Sequence, residues 1–137
     1  MISIKVLILM FIAHLIVEFV FQPLCLGKYK EKDWWKTQYE NGEVPDLYKY
    51  DYMMGLLQHS ITWSCFQVLP WLLLSNSGHK LAFAFFLFNM VGHFLIDDLK
   101  ANKKKINLVE EQSLNLIQIL TTWYGLVFLS EQLQQIV

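Results

Sequence analysis

The sequence predicts an all-α integral membrane protein, a four-helix bundle with a cytoplasmic interfacial loop between its first and second helices. Of the 137 residues, 55% are hydrophobic, and the mean hydropathy of +0.34 is too apolar for an ordinary soluble domain. Four hydrophobic segments stand out, at residues 2–26, 52–75, 81–99 and 106–129. Because about 20 apolar residues cross ~30 Å of hydrocarbon, residues 1–137 are predicted to form a single transmembrane domain.

The first segment is predicted to remain in the membrane as a helix and not to act as a cleaved signal peptide. Only Lys5 supplies positive charge at its front, and Glu18 and Gln22 interrupt its apolar core. No small-residue cleavage site follows the segment, whereas a signal peptide requires one.

The loop between the first two segments is rich in aromatic residues that alternate with lysines and acids. These are Tyr29, Trp34, Trp35, Tyr39, Tyr48, Tyr50 and Tyr52. Such rings favour the headgroup region of a bilayer. Residues 28–40 are therefore predicted to form a short interfacial helix, followed by a turn from Asn41-Gly42 through Pro45. A solvated connector with anchoring aromatics is the alternative.

The distribution of lysine orients the predicted bundle. All eleven basic residues are lysines, and nine lie between segments one and two or between segments three and four. Only Lys5 and Lys80 fall on the other side. The positive-inside rule then places both lysine-bearing loops in the cytoplasm and both termini outside, as expected for a multi-pass protein of the inner, or cytoplasmic, membrane.

With this orientation, all four segments carry polar side chains at one depth. His14 and Glu18 lie in the first segment, His59 in the second, His93 in the third and Asn115 in the fourth. At ~1.5 Å per residue, each lies roughly 10 Å below the cytoplasmic boundary. Because ionisable groups are costly inside a bilayer, this layer is predicted to be a functional site.

The spacing of these residues is typical of a metal site inside a helical bundle. His14 and Glu18 are four residues apart, as are His93 and Asp97, so each pair shares one helical face. The two members of a pair can bind one metal together, or the carboxylate can orient the imidazole. Nitrogen and oxygen ligands without thiolate suit zinc, manganese or iron. For His59 alone, an interhelical hydrogen bond is the alternative.

Four runs of the sequence resemble the family of small bacterial and phage membrane proteins called domain of unknown function 3307. They are AHLIVEFVFQ at 13–22, LLQHSI at 56–61, GHFLIDDLKA at 92–101 and EEQSLN at 110–115. The family pattern is H-x-x-x-D-F-x-x-Q, a lone H, H-x-x-x-D-x-x-K and D-Q-x-x-H. The chain is also similar to inner-membrane proteins regarded as metal-dependent hydrolases. It departs from the pattern at Glu18 and Glu111, where aspartate is usual, and at Asn115, where histidine is usual.

The resemblance implies a metal-dependent hydrolase. From the location of the layer alone, its expected substrate is a phosphoester or lipid-linked molecule at the cytoplasmic face. Its expected cofactor is a divalent metal, zinc before manganese or iron. The predicted metal ligands are His14, His59, His93 and Asp97. The predicted catalytic residues are Glu18 and Glu111, as ligand or general base, and Lys100, which would hold an anionic group. The predicted supporting residues are Gln22, Asn89, Gln112 and Asn115. For Gln22, Asn89 and Asn115, packing or capping is the favoured role.

A second hypothesis from a different functional class is a non-catalytic membrane protein, such as a phage or plasmid factor that acts on the envelope. Its polar layer would fix helix packing or bind a partner, and the missing histidine at Asn115 favours it. Proton or ion translocation is disfavoured because the outer half shows no comparable polar groups. The expected partners are the lipid bilayer and an anionic lipid or lipid-linked substrate. A homo-oligomer is an open option, and no nucleic acid is expected.

Overall fold

The computed structural model describes residues 2–75 and 78–136, except for the side chains at 2, 22–26 and 133–136. Every regular element in this part of the chain is helical and none is a strand, which confirms the all-α class. The elements are α1 (Ile2–Ile16) continued by a π-helix (Val17–Leu26), α2 (Lys32–Lys36), a 3₁₀ turn (Asp46–Tyr48), α3 (Asp51–Leu74), α4 (His79–Ala101) and α5 (Leu108–Ile136).

The four long helices contact one another in a ring. The contacting pairs are α1 with α3, α3 with α4, α4 with α5, and α5 with α1, and α3 also meets α5 across the ring over a smaller area. The turn between α3 and α4 includes Gly78, whose φ of +77° lies in the left-handed region that glycine adopts at little cost. The apolar core is formed by Val6, Met10, Val17, Trp63, Trp71, Ala82, Ile119 and Leu126.

Helix lengths differ from the hydropathy prediction mainly at the ends. α4 begins two residues before and ends two residues after the predicted segment 81–99, and α5 continues beyond residue 129. The added residues include His79, Lys80 and Lys100. Hydropathy falls at such residues, but the helical hydrogen bonds continue through them, so composition alone underestimates the length.

The first segment changes its hydrogen-bonding pattern halfway along. From Val17 onward it is a π-helix, which pairs residues five apart instead of four. Pro23 lies within this stretch and has no N–H to donate to a helical ladder. Such π segments are rare and often lie at functional sites. Here the change of pattern begins one residue before Glu18.

Among the described residues, three helices are long and apolar enough to cross a membrane: Ser3–Phe21, His79–Ala101 and Leu108–Gln132. The helix α3, predicted as a fourth span, is not among them. Its mean hydropathy is lowered by buried polar residues, including Ser60, Ser64 and Gln67. These residues face the interior of the ring, so a low mean hydropathy does not make the outer surface of α3 polar.

Large apolar side chains cover the outside of the three apolar helices. Only 22% of the most apolar stretch of α4 is buried within the structure. The exposed residues on this helix include Phe83, Leu87, Phe88, Val91 and Leu95. Soluble monomers rarely expose apolar surface this extensive and continuous, so the surface is suited to contact with lipid or with another apolar surface.

The loop before α3 is less helical than predicted. Only Lys32–Lys36 of the predicted helix 28–40 is α-helical. The chain then turns at Gly42, whose φ is +71°. This loop meets the loop between α4 and α5 through an ion pair from Asp33 to Lys104, with Oδ2 and Nζ 2.6 Å apart. Hydrogen bonds from Lys104 and Lys36 lower the pKa of Asp33 to about 2.

Candidate metal centre

Three side chains from three helical segments meet inside the ring, and we call them the His–Glu triangle: Glu18, His59 and His93. Glu18 projects from the first turn of the π-helix, His59 from α3 and His93 from α4. Glu18 Oε1 lies 3.2 Å from His59 Nε2 and 3.3 Å from His93 Nε2, and the two Nε2 atoms are 3.1 Å apart. All three side chains are buried, with 5%, 1% and 0% of their surface exposed. Together they form a group that could hold a metal ion.

The size of the triangle matches one face of a tetrahedral metal site. Zinc bonds of ~2.0–2.1 Å to nitrogen or carboxylate oxygen place neighbouring ligand atoms of a tetrahedron roughly 3.3 Å apart. The observed separations of 3.1, 3.2 and 3.3 Å are close to this value. Two histidines and one glutamate are also the ligand set of several catalytic zinc enzymes, in which water takes the fourth position. The triangle can therefore accept an ion with little movement of its side chains.

The hydrogen bond between His93 and Asn115 determines which imidazole nitrogen of His93 carries the proton. Its Nδ1 lies 3.1 Å from Asn115 Oδ1, and a carbonyl oxygen can only accept. Nδ1 therefore carries the hydrogen, and the neutral ring presents an unprotonated Nε2 to the triangle. Trp63 stacks on the same ring with centroids 4.3 Å apart and planes 8° from parallel. Asn115 and Trp63 together fix the orientation that a metal ligand needs.

Asp97 and Lys30 form a buried ion pair at the edge of the triangle. Lys30 Nζ lies 2.7 Å from Asp97 Oδ2, and this oxygen is 3.6 Å from His59 Nε2. The other oxygen, Oδ1, lies 3.8 Å from His93 Nε2 and is one of the described buried atoms without a hydrogen-bond partner. Asp97, predicted as a ligand, thus lies just outside the triangle with one oxygen able to accept a hydrogen bond.

His14 was predicted to be a ligand, but it lies beside the triangle and not in it. Trp63 Nε1 donates to His14 Nδ1 at 3.0 Å, so this nitrogen is unprotonated. His14 Nε2 then carries the hydrogen and donates it to Gln112 Oε1 at 3.0 Å. Since both nitrogens are engaged, the geometry favours a positioning role in which His14 holds the indole that stacks on His93.

Glu111 and Lys100, predicted as catalytic residues, pair with each other and lie outside the triangle. Gln112, predicted to be supporting, contacts the same carboxylate, with its Nε2 3.5 Å from Glu111 Oε2. The second carboxylate oxygen, Glu111 Oε1, is buried without a partner among the described residues. These contacts show that Lys100 neutralises the Glu111 carboxylate, and its predicted role of holding a substrate anion stays a prediction.

The predicted supporting residue Asn89 lies one turn before His93 on α4. Its Oδ1 accepts from Thr122 Oγ1 at 2.9 Å, and its backbone oxygen accepts from Gln118 Nε2 at 2.8 Å. These contacts join α4 to α5, which favours the packing role for Asn89. The side chain of Gln22, the last predicted supporting residue, lies outside the described part of the structure.

Sequence reasoning missed two residues of the site, Lys30 and Trp63. Trp63 follows His59 by four residues, so the one-turn spacing used for the other pairs would have identified it. Lys30 has no such signal. It lies among several loop lysines, and only the fold shows that its side chain is buried, with 5% of its surface exposed.

Comparison of the chain with protein families, curated proteins and solved structures finds no match. The resemblance to domain of unknown function 3307 therefore rests on the four sequence motifs and stays a prediction.

Proposed function

We propose that this protein is a membrane-embedded, metal-dependent hydrolase whose ion binds at the His–Glu triangle. The observation that supports this most is the convergence of two imidazoles and one carboxylate within 3.3 Å of one another. Two of the three residues lie on helices that are apolar enough to cross a membrane. Ionisable groups at such positions are costly, and they usually mark a functional site.

Charge balance around the triangle supports a bound cation. The buried layer holds the carboxylates of Glu18, Asp97 and Glu111, whereas its ammonium groups belong to Lys30 and Lys100. With neutral histidines, the described side chains of this layer carry one excess negative charge. A divalent ion with bound water would leave one positive charge for an anionic substrate, and loss of a proton from that water to solvent would leave the layer neutral. An uncompensated charge in a buried site is costly, so the layer favours a bound cation or an added proton.

The chemistry proposed for the site is hydrolysis of an ester. A zinc-like ion, if bound, would supply hydroxide near neutral pH and act as a Lewis acid. Glu18, His59 and His93 would hold the ion. Asp97 would orient the water and accept its proton through Oδ1, the oxygen 3.8 Å from His93 Nε2. A carboxylate in this position can act as a general base.

The proposed setting is the inner membrane, with the lysine-bearing loops in the cytoplasm and both termini outside. In support, the two loops lie at one end of the ring, where Asn102 accepts from the backbone N–H of Lys32 at 2.7 Å. The proposed four-helix membrane bundle comprises α1 with its π extension, α3, α4 and α5. A phosphoester carried by a lipid or a lipid-linked molecule suits this location, because the site would lie roughly 10 Å below the cytoplasmic boundary.

Topology reporters are expected to give opposite results at the two ends of the ring. A fusion within residues 40–46 should report the cytoplasm, and a fusion after residue 137 should report the outside, because lysines are concentrated in the first loop. Alkaline phosphatase and green fluorescent protein fusions would measure this. Reports from the same side would contradict the proposed bundle.

Hydrolysis provides the direct test of the proposed activity. Zinc-loaded protein in nanodiscs is expected to cleave bis(p-nitrophenyl) phosphate, and Asp97→Asn should slow cleavage by ~10²–10⁴-fold, which is the usual contribution of a general base. Asp33→Asn is the matched control, because the exposed carboxylate of Asp33 pairs with Lys104 at 2.6 Å, away from the triangle. A zinc-loaded, folded protein that cleaves neither phosphodiesters nor phosphomonoesters would contradict the hydrolase proposal.

One observation favours the non-catalytic alternative. A single proton between His59 Nε2 and His93 Nε2, which are 3.1 Å apart, would form a hydrogen bond and cancel the excess charge without any metal. The layer would then serve to fix the packing of three helices. The two proposals differ in metal content, because only the hydrolase requires an ion.

A further inference from the structure

We propose that Lys30 is the substrate-binding residue of the site and that it recognises the monoanionic phosphate of a phosphodiester. This inference rests on the proposed function and specifies its substrate class. Lys30 lies one carboxylate away from a proposed metal ligand: its Nζ is 2.7 Å from Asp97 Oδ2, which is 3.6 Å from His59 Nε2. Of the lysines that the structure describes, Lys30 alone is buried.

The segment of residues 29–32, which we call the Lys30 clamp, is held in place by contacts to three helices. Trp35 Nε1 of α2 donates to the Tyr29 carbonyl at 2.8 Å. Asn102, just after α4, donates through Nδ2 to the Lys30 carbonyl at 3.1 Å. On α3, Gly55 allows the backbone of the clamp to approach so closely that a Cβ would lie 2.8 Å from the Tyr29 carbonyl oxygen. Such fixed placement is typical of a residue that must present its charge at one position.

A ligand is expected to reach the His–Glu triangle from the end of the helical ring at which the Lys30 clamp lies. On the opposite side, beyond the amides Asn89 and Gln118, the interior is filled by apolar core residues. These are Val6, Met10, Trp71, Ala82 and Leu126. A ligand that approaches from the lysine-bearing loops would meet Lys30 before the ion.

The charge of the site selects among phosphate esters. With a divalent ion carrying water, the ion and Lys30 contribute three positive charges, and Glu18 and Asp97 contribute two negative charges. Lys100 and Glu111 cancel each other. The excess of one positive charge matches a phosphodiester monoanion, whereas a phosphomonoester dianion would leave a buried negative charge. A neutral carboxylic ester would make no use of Lys30.

The test uses the full-length chain in detergent, loaded with cobalt(II), whose visible absorption reports the ligands of the ion. Diethyl phosphate, a soluble monoanionic diester, is the probe. It is expected to shift the spectrum of the wild type and to bind at least ten times more weakly to Lys30→Met. The matched control is Lys36→Met, whose side chain is exposed and lies outside the Lys30 clamp, and which should bind like the wild type.

A second variant covers the case in which Lys30→Met fails to fold around the buried Asp97. Gly55→Ala leaves the chemistry of Lys30 intact, but its Cβ must displace the clamp, so diester binding should again weaken.

Inorganic phosphate at high pH, where it is a dianion, should bind more weakly than the diester. Vesicles of phosphatidylglycerol in place of soluble diester would show whether a lipid-borne phosphodiester produces the same shift.

The outcomes separate the two proposals. If the wild type binds no cobalt, the metal centre and therefore also this inference are wrong. If cobalt binds and the Lys30→Met and Gly55→Ala variants respond to diethyl phosphate as the wild type does, only the role of Lys30 is wrong. If the probe shifts no spectrum in the cobalt-loaded wild type, recognition of a phosphodiester at this site is also excluded.

Discussion

Replacing His93 by alanine is expected to abolish metal binding, with a loss of affinity of more than ~100-fold. His93 supplies one of the three atoms of the His–Glu triangle, and outer-shell residues alone already contribute ~10–100-fold to metal affinity. His14→Ala is the matched control, because this histidine is also buried but contacts Trp63 and Gln112 and not the triangle. It should still bind the metal, with a smaller loss of affinity than His93→Ala, because it removes only the residue that holds Trp63 against His93.

The His14→Ala variant also tests whether His14 is a metal ligand or only holds Trp63 in place. His14→Ala leaves the buried Trp63 Nε1 without its partner and is expected to cost ~1–3 kcal/mol in the free energy of unfolding. Elemental analysis and thermal melting of the two purified variants measure both quantities. Loss of metal in His14→Ala at full folding would return His14 to the ligand set and contradict the triangle as drawn.

Replacing Asn115 by leucine is expected to weaken metal binding by ~10–100-fold without removing a ligand. Asn115 Oδ1 accepts from His93 Nδ1 at 3.1 Å and so holds the tautomer with an unprotonated Nε2. Leucine has a similar volume but cannot accept a hydrogen bond. Asn89→Leu is the control, since Asn89 contacts Thr122 and Gln118 and lies one turn before His93 on α4. It should lose stability but keep its metal affinity.

The position of Asn115 also changes what a histidine there would do. The family that the sequence resembles has histidine at this point, which predicts an additional ligand. In the structure, residue 115 contacts Nδ1 of His93, which lies on the side of the imidazole opposite the His–Glu triangle. An imidazole would lie behind the ligand and crowd a packed interface. Equal metal affinity in Asn115→Leu and the wild type would contradict this account.

The helical class and the gathering of polar residues could both be predicted from the sequence. Hydropathy identifies long apolar helices, and the lysine pattern places the histidines of α3 and α4 at one depth. Depth alone, however, does not show which way a side chain turns. Glu18 and His14 share a segment and a spacing, yet Glu18 enters the triangle and His14 turns to Trp63.

The rest could not be predicted because it depends on contacts between distant parts of the chain. Lys30 reaches Asp97, a residue 67 positions later, only because the loop folds back over the ring. The close approach at Gly55 and the bonds from Asn102 hold that loop, and neither leaves a local pattern in the sequence. The π-helix at Val17–Leu26 likewise has no hydropathy signature.

The most direct test of the central claim is X-ray absorption at the zinc edge, together with elemental analysis, on wild-type protein purified in detergent without chelators. We predict about one zinc per chain, bound by two imidazole nitrogens and at least one oxygen at ~2.0–2.1 Å. The same folded protein without metal, and unable to take up zinc when it is added, would contradict the metal centre and leave the polar layer as a packing element.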